Sequence, residues 1–299
     1  MLFKKVTAIG AILAISTLAF AQSGFSDKDY KAHLEALKNR DVNISDINKT
    51  VMVSKPFVII TDINLSATQK ETKEVVELSI KTFKKLFFKN NPKNITDIWI
   101  FKDRAGYVAF NHAFLNSTAR DDVAGYYMRD KDALVLAITT GIGTIIHEML
   151  HSFMDNNFVN APVWFEEGLA SLYEGTLVDD KGLRGDLNWR LPWLKENIRA
   201  NALGSFKTLS DMNVSAFYED KSVAINYAQS RYMFYYLQEK GLLVEYYSMA
   251  RKNIKDDPTG YKSLLKVLKI KDMKAFSKEW EKYILELEDW MHYVKRMNS

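Results

Sequence analysis

The stretch ALVLAITTGIGTIIHEMLHSFMDNN, residues 133–157, contains the point at which the pattern of the sequence changes. It opens with a continuous apolar run, ALVLAI, which predicts a strand. After residue 139 the apolar residues recur at helical spacing, as at Ile142, Ile145, Met149 and Phe153. A strand is therefore predicted to lead directly into a long helix, with the change near residue 140.

Strands and helices are predicted to alternate before this junction. The runs PFVIITD (56–62) and ITDIWIFK (95–102) indicate strands, and the segment after each has apolar residues at helical spacing. AGYYM (124–128) and ALVLAI (133–138) flank the polar turn RDKD, a pattern typical of a hairpin. Almost all of the chain beyond the junction has the helical pattern.

The predicted fold class is therefore α+β. An amino-terminal α/β lobe with a mixed β-sheet is expected over residues 22–140, and a mostly helical lobe over residues 141–299. No repeat, low-complexity tract or linker rich in proline and glycine separates the two parts. Residues 22–299 are accordingly predicted to form a single domain.

The first 21 residues have the pattern of a secretory signal peptide. Lys4 and Lys5 precede the apolar run VTAIGAILAISTLAF, and Ala19-Phe20-Ala21 supplies a small-residue cleavage site. The run is shorter than the roughly 20 residues of a membrane-spanning helix, which disfavours an anchor and stable membrane insertion after cleavage. The mature protein is predicted to be periplasmic or extracellular. The chain contains no cysteine, so neither a disulfide nor a lipid attached to cysteine is possible.

The charge pattern disfavours nucleic acid as a partner. The 299-residue chain has a formal net charge of +4, and removal of the signal with its two lysines lowers that charge to +2. The remaining lysines alternate with acidic residues, as in KETKEVVE and KEWEKY, which is typical of a solvated surface. The sequence gives no indication of the oligomeric state.

The segment HEMLH places His147 and His151 four residues apart with Glu148 between them. On a helix, residues i and i+4 share one face, so both imidazoles can reach one metal ion. The alternative to a metal site is that the two histidines occur by chance on a partly buried helix. The next segment, NAPVWFEEGLASLYEG (160–175), predicts a second helix that would bring Glu167 to the same ion. Three protein ligands would leave a fourth position open, as in catalytic zinc sites.

HEMLH followed by WFEEGLASLYE resembles the gluzincin zinc metallopeptidases, most closely the bacterial peptidase-MA-like group, which is distantly similar to aminopeptidase N. The resemblance implies a thermolysin-like arrangement with a Zn²⁺ site between the two lobes. It implies that His147, His151 and Glu167 bind the zinc, with Glu166 at the preceding non-ligand position. Glu166 as the ligand remains the alternative. NYAQSRYMFYYL (226–237) is similar to the helix that carries the transition-state tyrosine in this group, which implies that role for Tyr227.

The chemistry expected of these residues is hydrolysis of a peptide or protein substrate by a zinc-activated water. Glu148 would act as the general base, and Tyr227 would donate a hydrogen bond to the oxyanion. Glu174, two helical turns after Glu167, would bind the other nitrogen of a ligand histidine or lie on the surface. Two other functions are open. They are a non-catalytic binding protein of the same fold, and a zinc amidohydrolase acting on an amide of the cell envelope.

The position of the substrate is predicted from the strand before the zinc helix. The same resemblance implies that ALVLAI (133–138), the strand before the zinc helix, is the edge strand along the cleft, where an extended peptide could pair with it. The alternative is an interior strand that is fully paired. The chain lacks the Gly-x-Met-x-Asn stretch with which relatives of aminopeptidase N hold a free amino end. An endopeptidase, or a carrier of narrow specificity, is therefore expected.

Overall fold

The structure is a computed structural model that describes residues 24–38, 49–115, 123–179 and 182–298, so the predicted signal peptide (1–21) lies outside the described residues. Within these ranges no helix is long and apolar enough to cross a membrane. The strands are β1 (Thr50–Ser54), β2 (Phe57–Thr61), β3 (Thr96–Phe101), β4 (Gly125–Met128), β5 (Ala133–Ala137), β6 (Thr176–Asp179) and β7 (Gly182–Gly185). The helices are α1 (Asp27–Lys38), α2 (Ser66–Leu86), α3 (Arg104–Leu115), α4 (Ile142–Asn157), α5 (Val163–Leu172), α6 (Arg190–Arg199), α7 (Phe206–Ser210), α8 (Val214–Phe217), α9 (Val223–Glu239), α10 (Leu243–Asn253), α11 (Tyr261–Leu268), α12 (Met273–Glu286) and α13 (Trp290–Asn298).

The fold is α+β, as predicted, and its larger sheet is mixed. The strand order is β1-β2-β3-β5-β4. Strands β2, β3 and β5 are parallel, whereas β1 and β4 pair antiparallel at the two edges. The prediction that ALVLAI (133–138) is an edge strand is wrong, because β5 pairs with β3 on one side and with β4 on the other. The edge strand on this side of the sheet is β4.

Both faces of the sheet are covered, and alternate residues of one strand enter different cores. Phe57 and Ile59 of β2 belong to the core that α2 covers, and Val58 and Ile60 belong to the core that α3 covers. This division follows from the two-residue period of a strand. Because both faces are buried, the central strands are almost entirely apolar rather than alternating.

The core beneath α2 continues without interruption into the helical part of the chain. Buried residues of α4, α5, α9 and α12 pack in the same cluster as residues of β2 and β3. The predicted boundary near residue 140 therefore marks a change of secondary structure within a continuous core. Two strand regions were not predicted. They are the edge strand β1 and the small β6–β7 hairpin, which lies between helices of the later half.

Helices α5 and α9 pack closely, which fixes the elements that carry Glu167 and Tyr227. A Cβ at Gly168 would lie 2.7 Å from the ring of Phe234, so glycine permits this approach. The fully buried Arg231 of α9 donates a hydrogen bond of 2.9 Å from Nε to the carbonyl of Ser171, near the carboxyl end of α5. A cation at a helix carboxyl end satisfies carbonyl groups that lack a partner within the helix.

Candidate metal centre

Helix α4 carries two histidines on its buried face. Gly141, directly before the helix, has a φ of +94°, a conformation that residues with a Cβ rarely adopt. His147 and His151 follow one helical turn apart, and each is only 7% exposed. Their ring centroids are 4.9 Å apart. The two imidazoles therefore lie next to each other inside the protein.

Helix α5 packs against α4 and brings a carboxylate to both imidazoles. Nε2 of His147 lies 3.3 Å from Oε2 of Glu167, and Nε2 of His151 lies 3.6 Å from Oε1 of the same side chain. One ligand atom from each of the three buried residues lies within 4.8 Å of the others, so the group could hold a metal ion. It is the one such group of three or more found in the described part of the chain.

The two consecutive glutamates of α5 lie on opposite sides of one imidazole ring. Oε1 of Glu166 is 2.8 Å from Nδ1 of His151, while Glu167 faces Nε2 of the same ring. A shift of one residue rotates a side chain by about 100° around a helix, which explains this separation. Glu167 thus faces both Nε2 atoms, and Glu166 contacts the remote nitrogen of a single histidine.

Glu174 approaches the remote nitrogen of the other histidine. Its Oε1 is 3.2 Å from Nδ1 of His147, an ion-pair contact that is not aligned as a hydrogen bond. Arg190 holds the Glu174 carboxylate in a bidentate pair, with N–O distances of 3.0 and 2.9 Å. Burial alone would raise the pKa of Glu174, but His147 and Arg190 lower it to about 2.

The position of Glu174 depends on a glycine in the first turn of α4. A Cβ at Gly143 would lie 2.0 Å from the backbone oxygen of Glu174, so these two segments are in direct contact. Gly143 is four residues before His147 and therefore on the same face of the helix. The close approach brings Glu174 within reach of the ring.

Glu148 lies beside this cluster without a partner. Its side chain is buried, at 7% exposure. It forms no hydrogen bond or ion pair within the described ranges, in contrast to the other three glutamates of the site. Burial is the main cause that raises the pKa of the Glu148 carboxyl, and the nearby histidines oppose the rise. Glu148 is accordingly an available proton acceptor next to the histidines.

Two tyrosines border the carboxylate of Glu167. The ring of Tyr227 lies 6.5 Å from the ring of His147, and the Arg190 guanidinium lies 4.9 Å from the Tyr227 ring centroid. The hydroxyl of Tyr218 donates a hydrogen bond to Oε1 of Glu167. Burial, and then the negative charge of Glu167, raise the pKa of both phenols, so both hydroxyls stay protonated at neutral pH.

Sequence reasoning missed Tyr218, Arg190 and Arg129, the residue that pairs with Glu166. Tyr218 follows the four-residue helix α8, and neither it nor the arginines lie in a recognisable motif. The only available signal was indirect, because a buried carboxylate near a metal site requires a partner. That rule predicts a positively charged side chain beside the carboxylate, and it does not identify which arginine of the chain supplies the charge.

The polar groups of the cluster fit a bound cation. Oε2 of Glu167 is buried and accepts no hydrogen bond, although it lies beside Nε2 of His147. A buried acceptor without a partner costs about 1–3 kcal/mol, a cost that a cation between the three side chains would remove. Burial alone would lower the pKa of His147, but Glu167 and Glu174 raise it well above its usual range. Positive charge is thus favoured at this position.

Similarity to known proteins does not identify the site. No model of a known protein family matches the chain, and no curated protein matches it either. A functional interpretation therefore rests on the residues that the fold brings together, which are two imidazoles, one carboxylate and an unpaired glutamate beside them.

Proposed function

We propose that the protein is a zinc-dependent peptidase of gluzincin type. The observation that carries the proposal is the convergence of two imidazole Nε2 atoms and one carboxylate next to the unpaired Glu148. A donor set of two nitrogens and one oxygen suits zinc better than magnesium or calcium, which prefer oxygen ligands. Three protein ligands, His147, His151 and Glu167, would leave a coordination position for water or substrate, as in catalytic zinc sites.

The proposed reaction is hydrolysis of a peptide bond. When bound, zinc polarises a carbonyl group and lowers the pKa of water to about 7. Glu148 would accept the proton of the attacking water as the C–O bond forms, and would pass it to the amine as the C–N bond breaks.

Tyr227 would stabilise the oxyanion that develops on the carbonyl oxygen. Its hydroxyl remains protonated, and its ring lies close to that of His147. A hydrogen-bond donor that acts mainly in the transition state raises the rate of the chemical step. Tyr218 would have a different function, because its hydroxyl is already bonded to Glu167 and orients that carboxylate.

The substrate is proposed to lie along β4, in place of the strand expected from the sequence. Strand β4 is the edge of the sheet, and it runs beside the first turns of α4, where a Cβ at Gly125 would lie 2.9 Å from Cγ2 of Thr144. No described strand pairs with the outer side of β4. An extended peptide could therefore form main-chain hydrogen bonds there, which suits cleavage within a chain.

The test is the loss of hydrolysis without the loss of zinc. Glu148→Gln should retain zinc and thermal stability but cleave a broad peptide library at least about 10²-fold more slowly, because removal of a general base typically costs 10²–10⁴-fold. Glu245→Gln, the same change on the exposed face of α10, is the matched control and should be fully active. If the wild-type protein with one zinc per chain cleaves no peptide, the peptidase proposal fails, and the non-catalytic binding protein or an amidohydrolase becomes the better assignment.

A further inference from the structure

We infer that Glu166 and Arg129 are positioning residues that orient His151 for the metal and connect it to the β4–β5 hairpin. This inference rests on the proposed metal site. It gives Glu166 a role different from that of Glu167, although the two residues are adjacent in the chain.

The hydrogen bond to Glu166 determines which nitrogen of His151 can face the metal. Glu166 is a carboxylate and can only accept, so the Nδ1 atom at 2.8 Å donates and carries the hydrogen. In the neutral ring, which is the form that binds a metal, the Nε2 atom then has a free lone pair on the side of Glu167. A carboxylate that holds the remote N–H fixes both the tautomer and the ring orientation of a ligand histidine.

Arg129 holds the carboxylate of Glu166. Nη2 of Arg129 lies 2.7 Å from Oε1 of Glu166, and Nε of Arg129 lies 2.7 Å from Oδ1 of Asp155. Asp155 belongs to α4, and Glu166 belongs to α5. Arg129 therefore joins the two helices that carry the candidate ligands, at the side of His151.

Arg129 lies at the end of the edge strand β4. It follows Met128, the last residue of β4, and begins the turn of the β4–β5 hairpin. The corresponding pair at His147, Glu174 and Arg190, belongs to the helical half of the chain. Only the pair at His151 is attached to the edge strand along which a substrate would lie. The position of that strand is thereby linked to the geometry of one metal ligand.

The experiment measures zinc affinity of the full mature chain by competition with a chelator, using zinc alone as the probe. Glu166→Ala should lower zinc affinity about 10–100-fold, the usual effect of removing such a partner. Glu166→Gln keeps an acceptor for the Nδ1 hydrogen and should recover part of the loss. Arg129→Met leaves Glu166 in place but unanchored and should fall between wild type and Glu166→Ala.

The matched controls are Glu239→Ala and Arg184→Met, which break a similar arginine–glutamate pair away from the site and should leave zinc affinity unchanged. A second measurement replaces zinc with Co²⁺ and records its visible absorption, which reports the ligand field. Glu166→Ala should change this spectrum, and Glu239→Ala should not. A mere loss of stability would not alter the spectrum of the folded fraction.

Glu167→Gln distinguishes failure of this inference from failure of the metal site. If Glu167→Gln loses zinc while Glu166→Ala keeps wild-type affinity and the wild-type cobalt spectrum, the inference is wrong and the metal site stands. If Glu166→Ala abolishes binding as completely as Glu167→Gln, Glu166 is a ligand rather than a positioning residue, and the inference is again wrong. If Glu167→Gln binds zinc as tightly as wild type, the proposed metal site itself is wrong.

Discussion

Replacing Gly143 with alanine should separate Glu174 from His147. A Cβ at position 143 would lie 2.0 Å from the backbone oxygen and 2.7 Å from the carbonyl carbon of Glu174, whereas ordinary contact begins at 3.4 Å. The two backbones must therefore move apart by about 1.4 Å, the difference between the shortest distance and ordinary contact. Because backbone atoms lie on both sides of the contact, no side-chain rotation can relieve it.

The movement should be measurable both in metal binding and in stability. Oε1 of Glu174 now lies 3.2 Å from Nδ1 of His147, and a retreat of the whole residue would break this contact. Loss of such a partner should lower zinc affinity about 10–100-fold. The overpacked contact should also lower the free energy of unfolding by about 1–3 kcal/mol.

The assay combines chelator competition for zinc with thermal unfolding of the zinc-free protein. Gly204→Ala is the matched control, because a Cβ there meets no atom within 4 Å, and it should retain wild-type zinc affinity and stability. If Gly143→Ala is less stable but binds zinc as tightly as wild type, then Glu174 does not position His147. If neither quantity changes, the close approach of the two segments is itself wrong.

Two further predictions concern α9 and Tyr218, the residue that follows α8. Tyr227→Phe should lower kcat about 10²–10³-fold with zinc affinity unchanged, because oxyanion donors act mainly in the transition state. Tyr218→Phe should instead weaken zinc binding, by less than about tenfold, because it removes one hydrogen bond to Glu167. Equal effects of the two changes on kcat would contradict this division. Arg231→Met should lower the free energy of unfolding by at least about 1–3 kcal/mol in chemical denaturation, because it removes the buried guanidinium that donates to the carbonyl groups of Ser171, Leu172 and Asp186. The change Arg184→Met, at a half-buried arginine near the surface, should cost less than about 1 kcal/mol, and similar losses for both would contradict the structural role of Arg231.

The elements that were predicted well have strong periodic patterns. Strands β2 and β3 and the long helix α4 are buried over most of their length. Their burial therefore appears in the sequence as continuous or regularly spaced apolar residues. Strand β1, which is as long as β2, was missed because it is only partly buried and has threonine and serine at its ends, so its apolar run is too brief to indicate a strand. The hairpin strand β7, GLRG, was missed because glycine has low strand propensity. Tertiary contacts, rather than local preference, hold this strand against β6.

The error about the edge strand has a physical reason in the packing of the sheet. All five residues of β5 are buried, as expected of a strand with neighbours on both sides and covered faces. The residues of β4 are only partly buried, which is typical of an edge. The expectation of an edge strand came from the resemblance to gluzincins and from the place of ALVLAI directly before helix α4. Sequence proximity to a site does not determine position within a sheet.

The candidate ligands could be predicted because they lie on two short segments with regular helical spacing. The residues around them could not, because each comes from a distant part of the chain. Tyr218 is 51 residues from Glu167, and Arg129 is 37 residues from Glu166. Contacts at such separations depend on the packing of whole helices, and a single sequence contains no local pattern that records them.

The carboxylates and arginines around the histidines also determine which ions the site can accept. The carboxylates of Glu148, Glu167 and Glu174 and the guanidinium of Arg190 surround the neutral imidazoles, which gives a formal charge of −2 for these four side chains. Glu166, Asp155 and Arg129, on the more exposed side of His151, together add a further −1. One divalent cation restores neutrality, whereas a monovalent ion leaves the interior negative and a trivalent ion makes it positive. Two protons on the imidazoles restore neutrality equally well, in line with the raised pKa values of His147 and His151. We therefore expect the interior to exchange one divalent ion for two protons, so that acid expels the metal without leaving buried charge uncompensated.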